Sequence, residues 1–245
     1  MSLLFKMADA AKVMFTSGRG IASMMRPGAS VASVRILHNC GLYIPRLSTV
    51  IDVGANKGQF ALAAAHRYPD AKIFSFEPVP AVYQELQHNT RAMPAIAIFN
   101  CALGSSDGTL DFFSHAYSHA SSALKVSELQ QQLMPQTAEA RRIQVVVKRL
   151  DSLQAELCLE APVLLKLDVQ GFEKEVLLGA LHSLAQVDYL LFETSFVRMY
   201  EEEPLFDEMH DFVKGHGFEL VAPVGFLQSE QLQILQMDLL YKRKR

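Results

Sequence analysis

The segment V-I-D-V-G-A-N-K-G-Q-F, residues 50–60, constrains this chain more than any other. A β-branched run over residues 49–53 stops at Gly54, and a helix-compatible stretch begins at Gln59. A strand that passes into a helix through a glycine turn is the opening unit of an open parallel sheet. Such a turn lies at the carboxyl end of its strand, where these sheets take their ligands. Gly54 and Gly58 leave room for a ligand to meet the backbone closely.

The pattern after it keeps the same rhythm. Residues 71–76 read as a second strand ended by Glu77-Pro78, residues 82–91 as a helix and residues 95–99 as a third strand. Residues 108–150 depart from it, with strand character at 109–113 and 143–150 around a polar stretch, so they read as a β-rich insertion after the third strand. The alternation resumes with a strand at 162–167, a helix at 172–184, a strand at 188–192 and a helix at 205–215. Two closing strands, 218–222 and 233–241, suggest an antiparallel addition at the sheet edge. The reading is a doubly wound, Rossmann-like α/β domain over residues 47–245. Residues 1–46 form an irregular helical arm, interrupted by Gly18, Gly20, Pro27 and Gly28. That arm packs on the domain, lies on a membrane surface or joins a homodimer.

Composition narrows the classes. With 245 residues, 50% hydrophobic and 20% charged, the chain can bury one large core. Its formal net charge is −3, and the one basic block is Lys242 to Arg245, so no nucleic-acid footprint is expected. Three cysteines, none in a C-x-x-C pair, make neither a disulfide framework nor a thiolate zinc site and point to a reducing cytoplasm. No apolar run is long enough to span a bilayer, and Lys6, Asp9 and Lys12 break the N-terminal apolar stretch.

The acids carry the chemistry. Asp52 precedes the first glycine and can receive a charged amine, with Asn56 as a neutral polar contact. Glu77 stands about 20 residues beyond the glycine turn, where a carboxylate can grip both hydroxyls of an adenosine ribose. A dinucleotide site needs G-x-G-x-x-G for its pyrophosphate, whereas D-x-G-x-x-x-G sets an acid where an anion would be repelled. The pattern therefore favours a cationic nucleoside, S-adenosylmethionine (SAM), over NAD. Asp168 and Glu193 end later strands and should project into the same crevice. They can bind substrate hydroxyls, act as a general base, or hold a divalent cation such as Mg²⁺. His115 and His119, in a Ser- and His-rich loop, are further base candidates, and Ser121-Ser122 are expected to shape the substrate mouth.

Six segments, V-I-D-V-G-A-N-K-G, F-E-P-V-P, C-A-L-G-S-S-D-G, R-L-D-S-L, L-L-K-L-D-V-Q-G-F-E-K-E-V-L-L-G-A and F-E-T-S, resemble in that order the FkbM family of SAM-dependent methyltransferases. The resemblance spans about residues 48–241. It implies a mostly parallel seven-stranded sheet with the last strand antiparallel, and methylation of a hydroxyl on a sugar, a polysaccharide precursor or a natural product. Carried over by motif, the cofactor contacts are Asp52, Gly54, Ala55, Asn56, Gly58, Glu77 and Pro78, with Asp107 near the adenine. Asp168, Gln170, Glu173 and Glu193 line the acceptor side, and Asp168, Glu193 and His119 are the catalytic candidates. Two other functions stay open: N-methylation of a small molecule or protein, and a non-catalytic SAM-binding subunit. The position after the fourth strand reads D-V-Q-G rather than an N/D-P-P-Y tetrapeptide, which speaks against an amide or base-amine methylase.

Overall fold

The computed structural model describes residues 30–244. The first element is a helix, α1 (Val31–Cys40), which precedes the strand–helix alternation. The units that follow are β1 (Thr49–Val53), α2 (Gln59–Arg67), β2 (Lys72–Phe76), α3 (Pro80–Thr90) and β3 (Ile96–Phe99). The insertion contributes β4 (Ala102–Leu103), β5 (Gly108–His115), α4 (Glu128–Leu133) and β6 (Ala140–Lys148), and then comes the short α5 (Gln154–Leu157). The chain closes through β7 (Val163–Leu167), α6 (Glu173–Leu178), β8 (Tyr189–Ser195), α7 (Phe206–Gly215), β9 (Phe218–Gln228) and β10 (Ile234–Arg243).

Seven strands form the main sheet in the order β3-β2-β1-β7-β8-β10-β9. β1 pairs in parallel with both β2 and β7, and β10 runs antiparallel to both β8 and β9. The expected doubly wound sheet with its last strand antiparallel is what the chain forms. The chain winds outward from β1 to β3, then returns to β7 on the other side of β1. That reversal is a topological switch point, and it opens a crevice between the carboxyl ends of β1 and β7. The insertion is a separate three-stranded sheet, β4-β6-β5, beside that crevice.

Period-2 alternation distributes the core over two faces. Ile51, Val53, Leu165, Leu167, Leu190 and Phe192 pack on one side with α6 and α7. Val50, Leu164, Leu191 and Leu240 pack on the other with α1 and α2. Leu37, Cys40 and Ile44 are fully buried in this second layer. Val34, Leu37, Cys40 and Ile44, from within the expected arm, therefore pack on this face of the sheet. The remainder of the expected arm, residues 1–29, lies outside the described residues.

Two expected elements have different lengths. The helix expected over 172–184 ends at Leu178, and the next residue, Gly179, has no room for a side chain because a Cβ there would sit 1.9 Å from the Gly104 carbonyl oxygen. The chain restarts as a 3₁₀ turn, Ser183–Gln186, whose leading N–H groups at His182 and Ser183 donate to Asp151. β9 runs on through Pro223 to Gln228, which an edge strand tolerates because one row of its N–H groups has no partner strand. Among the described residues no helix is long and apolar enough to cross a membrane.

Candidate functional site

A cleft of about 190 Å³ opens at the carboxyl ends of β1, β2 and β7. Gly54, Ala55 and Asn56 form one wall, Glu77 and Pro78 the second, and Asp168, Val169 and Gln170 the third. Ser30, Ser33 and Ile36 from the start of α1 close another side, and Leu110, Phe112, Ser118 and His119 of the insertion close the last. Backbone in the left-handed region clusters here: Gly54 (φ 75°), Asn56 (φ 48°), Gln170 (φ 57°) and Gly171 (φ 93°). Non-glycine residues adopt this conformation at a cost, and such positions concentrate at functional sites.

Both glycines of the first motif meet a packing constraint of the fold. A Cβ on Gly54 would lie 2.0 Å from the Asp168 carbonyl oxygen, so the turns after β1 and β7 touch backbone to backbone. Gly58 does not face the cleft. It holds φ 90° as the residue before α2, and a Cβ there would meet Leu86 of α3 at 2.9 Å. Gly58 thus packs toward α3, and it is not among the residues that line the cleft.

Glu77 is 6% exposed and reaches across to the first turn. Its Oε2 accepts from the Asn56 N–H at 2.9 Å and its Oε1 from the Val79 N–H at 2.9 Å. Burial pushes its pKa up to about 7, against the pull of those two donors. Each carboxylate oxygen keeps an acceptor position for a second partner. Asn56 is also held from the insertion, since the Ser118 hydroxyl donates to its Oδ1 at 3.1 Å.

Asp52 does not reach the cleft wall. It has the parity of Val50, points to the α1–α2 face and is 0% exposed. Strand register sets Asp52 directly opposite Lys166 of β7, and Lys166 Nζ lies 2.9 Å from Asp52 Oδ1. The same ammonium donates to the Gly54 carbonyl at 3.1 Å and stands 3.8 Å from Asp168 Oδ2. Burial alone would lower the Lys166 pKa, but the Asp52 and Asp168 carboxylates more than offset it, so the group stays charged. Lys166, which sequence reasoning passed over, is the one lysine or arginine on the wall among the described residues. Its signal was a charge inside the apolar run L-L-K-L.

Asp168 lies on the wall with its side chain 43% exposed. Gln170 Nε2 donates to Asp168 Oδ1 at 2.6 Å and to Glu193 Oε2 at 3.1 Å. Glu193 sits behind the wall, where it also accepts from Gln236 Nε2 at 3.1 Å. Burial, then the Asp168 and Asp238 charges, hold the Glu193 carboxyl well above the usual range. Asp238, opposite Glu193 in the strand register, does reach the wall. Burial and the Asp168 charge push its pKa up to about 6. Glu173 is buried beneath the turn, accepts from the Val169 N–H at 2.9 Å, and is pushed up to about 8 by burial.

Two candidates stand elsewhere. Asp107 is not on the wall: it accepts from the Arg149 N–H at 2.8 Å and the Ser152 hydroxyl at 2.7 Å, at the start of the 3₁₀ turn Leu150–Leu153. His115 is buried in β5 away from the wall, whereas His119 stands exposed at the rim. For the Mg²⁺ alternative, the described residues hold no group of three or more His, Cys, Asp or Glu side chains arranged for a metal. Between Asp168 and Glu193 the bridging group is the Gln170 amide.

Residues 52–220 match the family described as "Methyltransferase FkbM domain". Three similar proteins illustrate the range. The AMB antimetabolite synthetase AmbE of Pseudomonas aeruginosa is 30% identical over 74% of this chain, which spans only 10% of that long protein. The methyltransferase sdnD of Sordaria araneosa is 29% identical over 72% of this chain and 76% of its own length. The 2-O-methyltransferase NoeI of Sinorhizobium fredii is 27% identical over 71% of this chain and 73% of its own.

Proposed function

The chain belongs to the methyltransferase FkbM family, and on that premise we propose that it transfers a methyl group from SAM to a hydroxyl oxygen of a small-molecule or glycan acceptor. One observation carries this reading: the cleft at the β1–β7 switch point has Glu77 on one flank and Asp168 on the other. The first suits a nucleoside diol and the second a reacting hydroxyl.

The residues present fit the cofactor. Glu77 is held rigidly by two backbone donors and retains acceptor capacity toward a ribose diol. The wall carries the carboxyl groups of Glu77, Asp168 and Asp238, while Lys166 is neutralised by Asp52 behind it. That balance favours a sulfonium and an ammonium over a pyrophosphate. Phe76, Leu103, Leu110 and Phe112 offer an apolar surface for a base. Asp52 serves the cofactor through Lys166 rather than by touching it.

When bound, SAM supplies an electrophilic methyl on a leaving sulfur. The chain's part is to position the acceptor and to receive a proton. An alcohol is a weak nucleophile until its proton departs, and Asp168 is the exposed carboxylate placed to take it. Gln170 and Lys166 fix Asp168 on two sides, so the acceptor oxygen is met by a group that need not reorganise. The relative named a 2-O-methyltransferase supports oxygen as the acceptor atom.

Incubation with SAM labelled in its methyl group, across a panel of hydroxylated acceptors including oligosaccharides, tests the reaction. Label should appear in an ether. Label found only on nitrogen would overturn the choice of atom, and no calorimetric affinity for S-adenosylhomocysteine would overturn the reading as a whole.

A further inference from the structure

A buried polar chain leads into the cleft from outside it. Both amide hydrogens of Gln170 are committed, one to Asp168 and one to Glu193. Its Oε1 therefore faces away from the carboxylates, and there the Tyr200 hydroxyl donates to it at 2.7 Å. Tyr200 is 0% exposed, and its hydroxyl receives Gln130 Nε2 of α4 at 3.1 Å. A phenolic hydroxyl has one hydrogen to give, and the other acceptor in reach, the Ala120 carbonyl, lies at 3.4 Å. The direction of donation runs from Gln130 through Tyr200 and Gln170 to the two carboxylates.

Tyr200 is itself firmly placed. The N–H groups of Met199 and Tyr200 donate to Glu203 Oε1, and the Ser195 hydroxyl donates to Glu203 Oε2 at 2.9 Å. A bridge to Val126 ties the same segment to the insertion.

We propose that Tyr200 is a positioning residue that acts through Gln170: its hydroxyl holds the carboxamide with the NH₂ group between Asp168 and Glu193. A terminal amide has two orientations of similar shape, and only its partners choose between them. Without the hydroxyl, Oε1 faces a buried side that lacks its donor, and the side chain is drawn toward the open cleft. Asp168 then loses the donor that fixes Oδ1. The consequence for catalysis rests on the reading of Asp168 as the proton acceptor, whereas the relay stands on the hydrogen bonds alone.

The test is nuclear magnetic resonance on the full-length ¹⁵N-labelled protein with S-adenosylhomocysteine as the probe. The Gln170 side-chain NH₂ pair is assigned by its loss in Gln170→Leu. In the wild type this pair should exchange slowly with water. Tyr200→Phe should speed that exchange roughly tenfold, the scale of one lost hydrogen bond, with the affinity for S-adenosylhomocysteine unchanged. Unaltered exchange in Tyr200→Phe would overturn the proposal. If that variant does not fold, the wild type decides in its place: a slowly exchanging Tyr200 hydroxyl proton with a cross-peak to the Gln170 NH₂ pair supports the proposal, and a hydroxyl proton in fast exchange with water overturns it. A wild type that binds no S-adenosylhomocysteine but shows the Tyr200-dependent exchange would sink the methyltransferase reading and leave the relay standing.

Discussion

Lys166 Nζ lies 2.9 Å from Asp52 Oδ1, directly across the β1–β7 pairing that defines the cleft. The pair is buried on both sides, and its ammonium extends the contact to the Gly54 carbonyl and toward Asp168. The acid of the glycine motif thus works as a counter-ion inside the sheet, and the lysine carries its influence to the wall.

Lys166→Met should remove that cation and leave Asp52 as an uncompensated buried carboxylate. Breaking one partner of a buried pair costs about 3–5 kcal/mol. Urea unfolding should register a loss of this size, and Asp52→Asn added to Lys166→Met should restore part of it. A Lys166→Met protein as stable as the wild type would show that the pair is not structural.

Asp168→Asn keeps the shape of the side chain and removes its capacity to take a proton. Turnover should fall by about 10²–10⁴-fold, the range for loss of a general base. Affinity for S-adenosylhomocysteine, measured calorimetrically, should stay close to that of the wild type. Undiminished turnover would remove Asp168 from the chemistry.

Gly58→Ala separates packing from ligand contact. The added methyl meets Leu86 and sits on backbone at φ 90°, so stability should drop by about 1–3 kcal/mol. The folded fraction should bind S-adenosylhomocysteine as the wild type does, because Gly58 is not on the wall. A large affinity loss at unchanged melting temperature would return Gly58 to the binding site.

Glu77 gives the cofactor affinity a pH dependence. Its pKa is pushed up to about 7, so it gains charge as the pH rises through neutrality. If the ionised form grips the diol, affinity for S-adenosylhomocysteine should fall roughly tenfold per unit below about pH 7, as the competent fraction shrinks. Glu77→Gln should bind more weakly at pH 8 and lose most of that slope. The sign for stability is opposite. A carboxyl raised above its unfolded value stabilises the fold fully below the unfolded pKa and loses that contribution as pH rises through about 7. Calorimetric titrations and melting curves over pH 5.5–8.5 separate the two effects.

Much of the fold was legible. Strand–helix alternation announced the parallel sheet, the departure from it over residues 108–150 announced the insertion, and the acids at strand ends announced the crevice. The helix after Asp168 was read too long: it ends at Leu178, where Gly179 lies against Gly104 from another part of the chain. Asp107 and Gly58 were read as ligand contacts because their motifs fit that role; in the structure Asp107 meets Arg149 and Ser152, more than 40 residues away, and Gly58 packs toward Leu86. Tyr200 and Gln130 left no signal, since a tyrosine in a loop and a glutamine in a short helix gain meaning only from what they meet.

The amino-acid order by itself determined which way each strand residue faces relative to its neighbours, because side chains alternate with period two whatever lies beside them. It therefore fixed that Asp52 shares a face with Val50, and Lys166 with Leu164. That Asp52 and Lys166 stand level with each other was decided only by the pairing of β1 with β7, two strands separated by more than 100 residues. Register is a long-range property of the sheet, and it alone turned an apparent ligand-binding acid into the buried partner of a lysine.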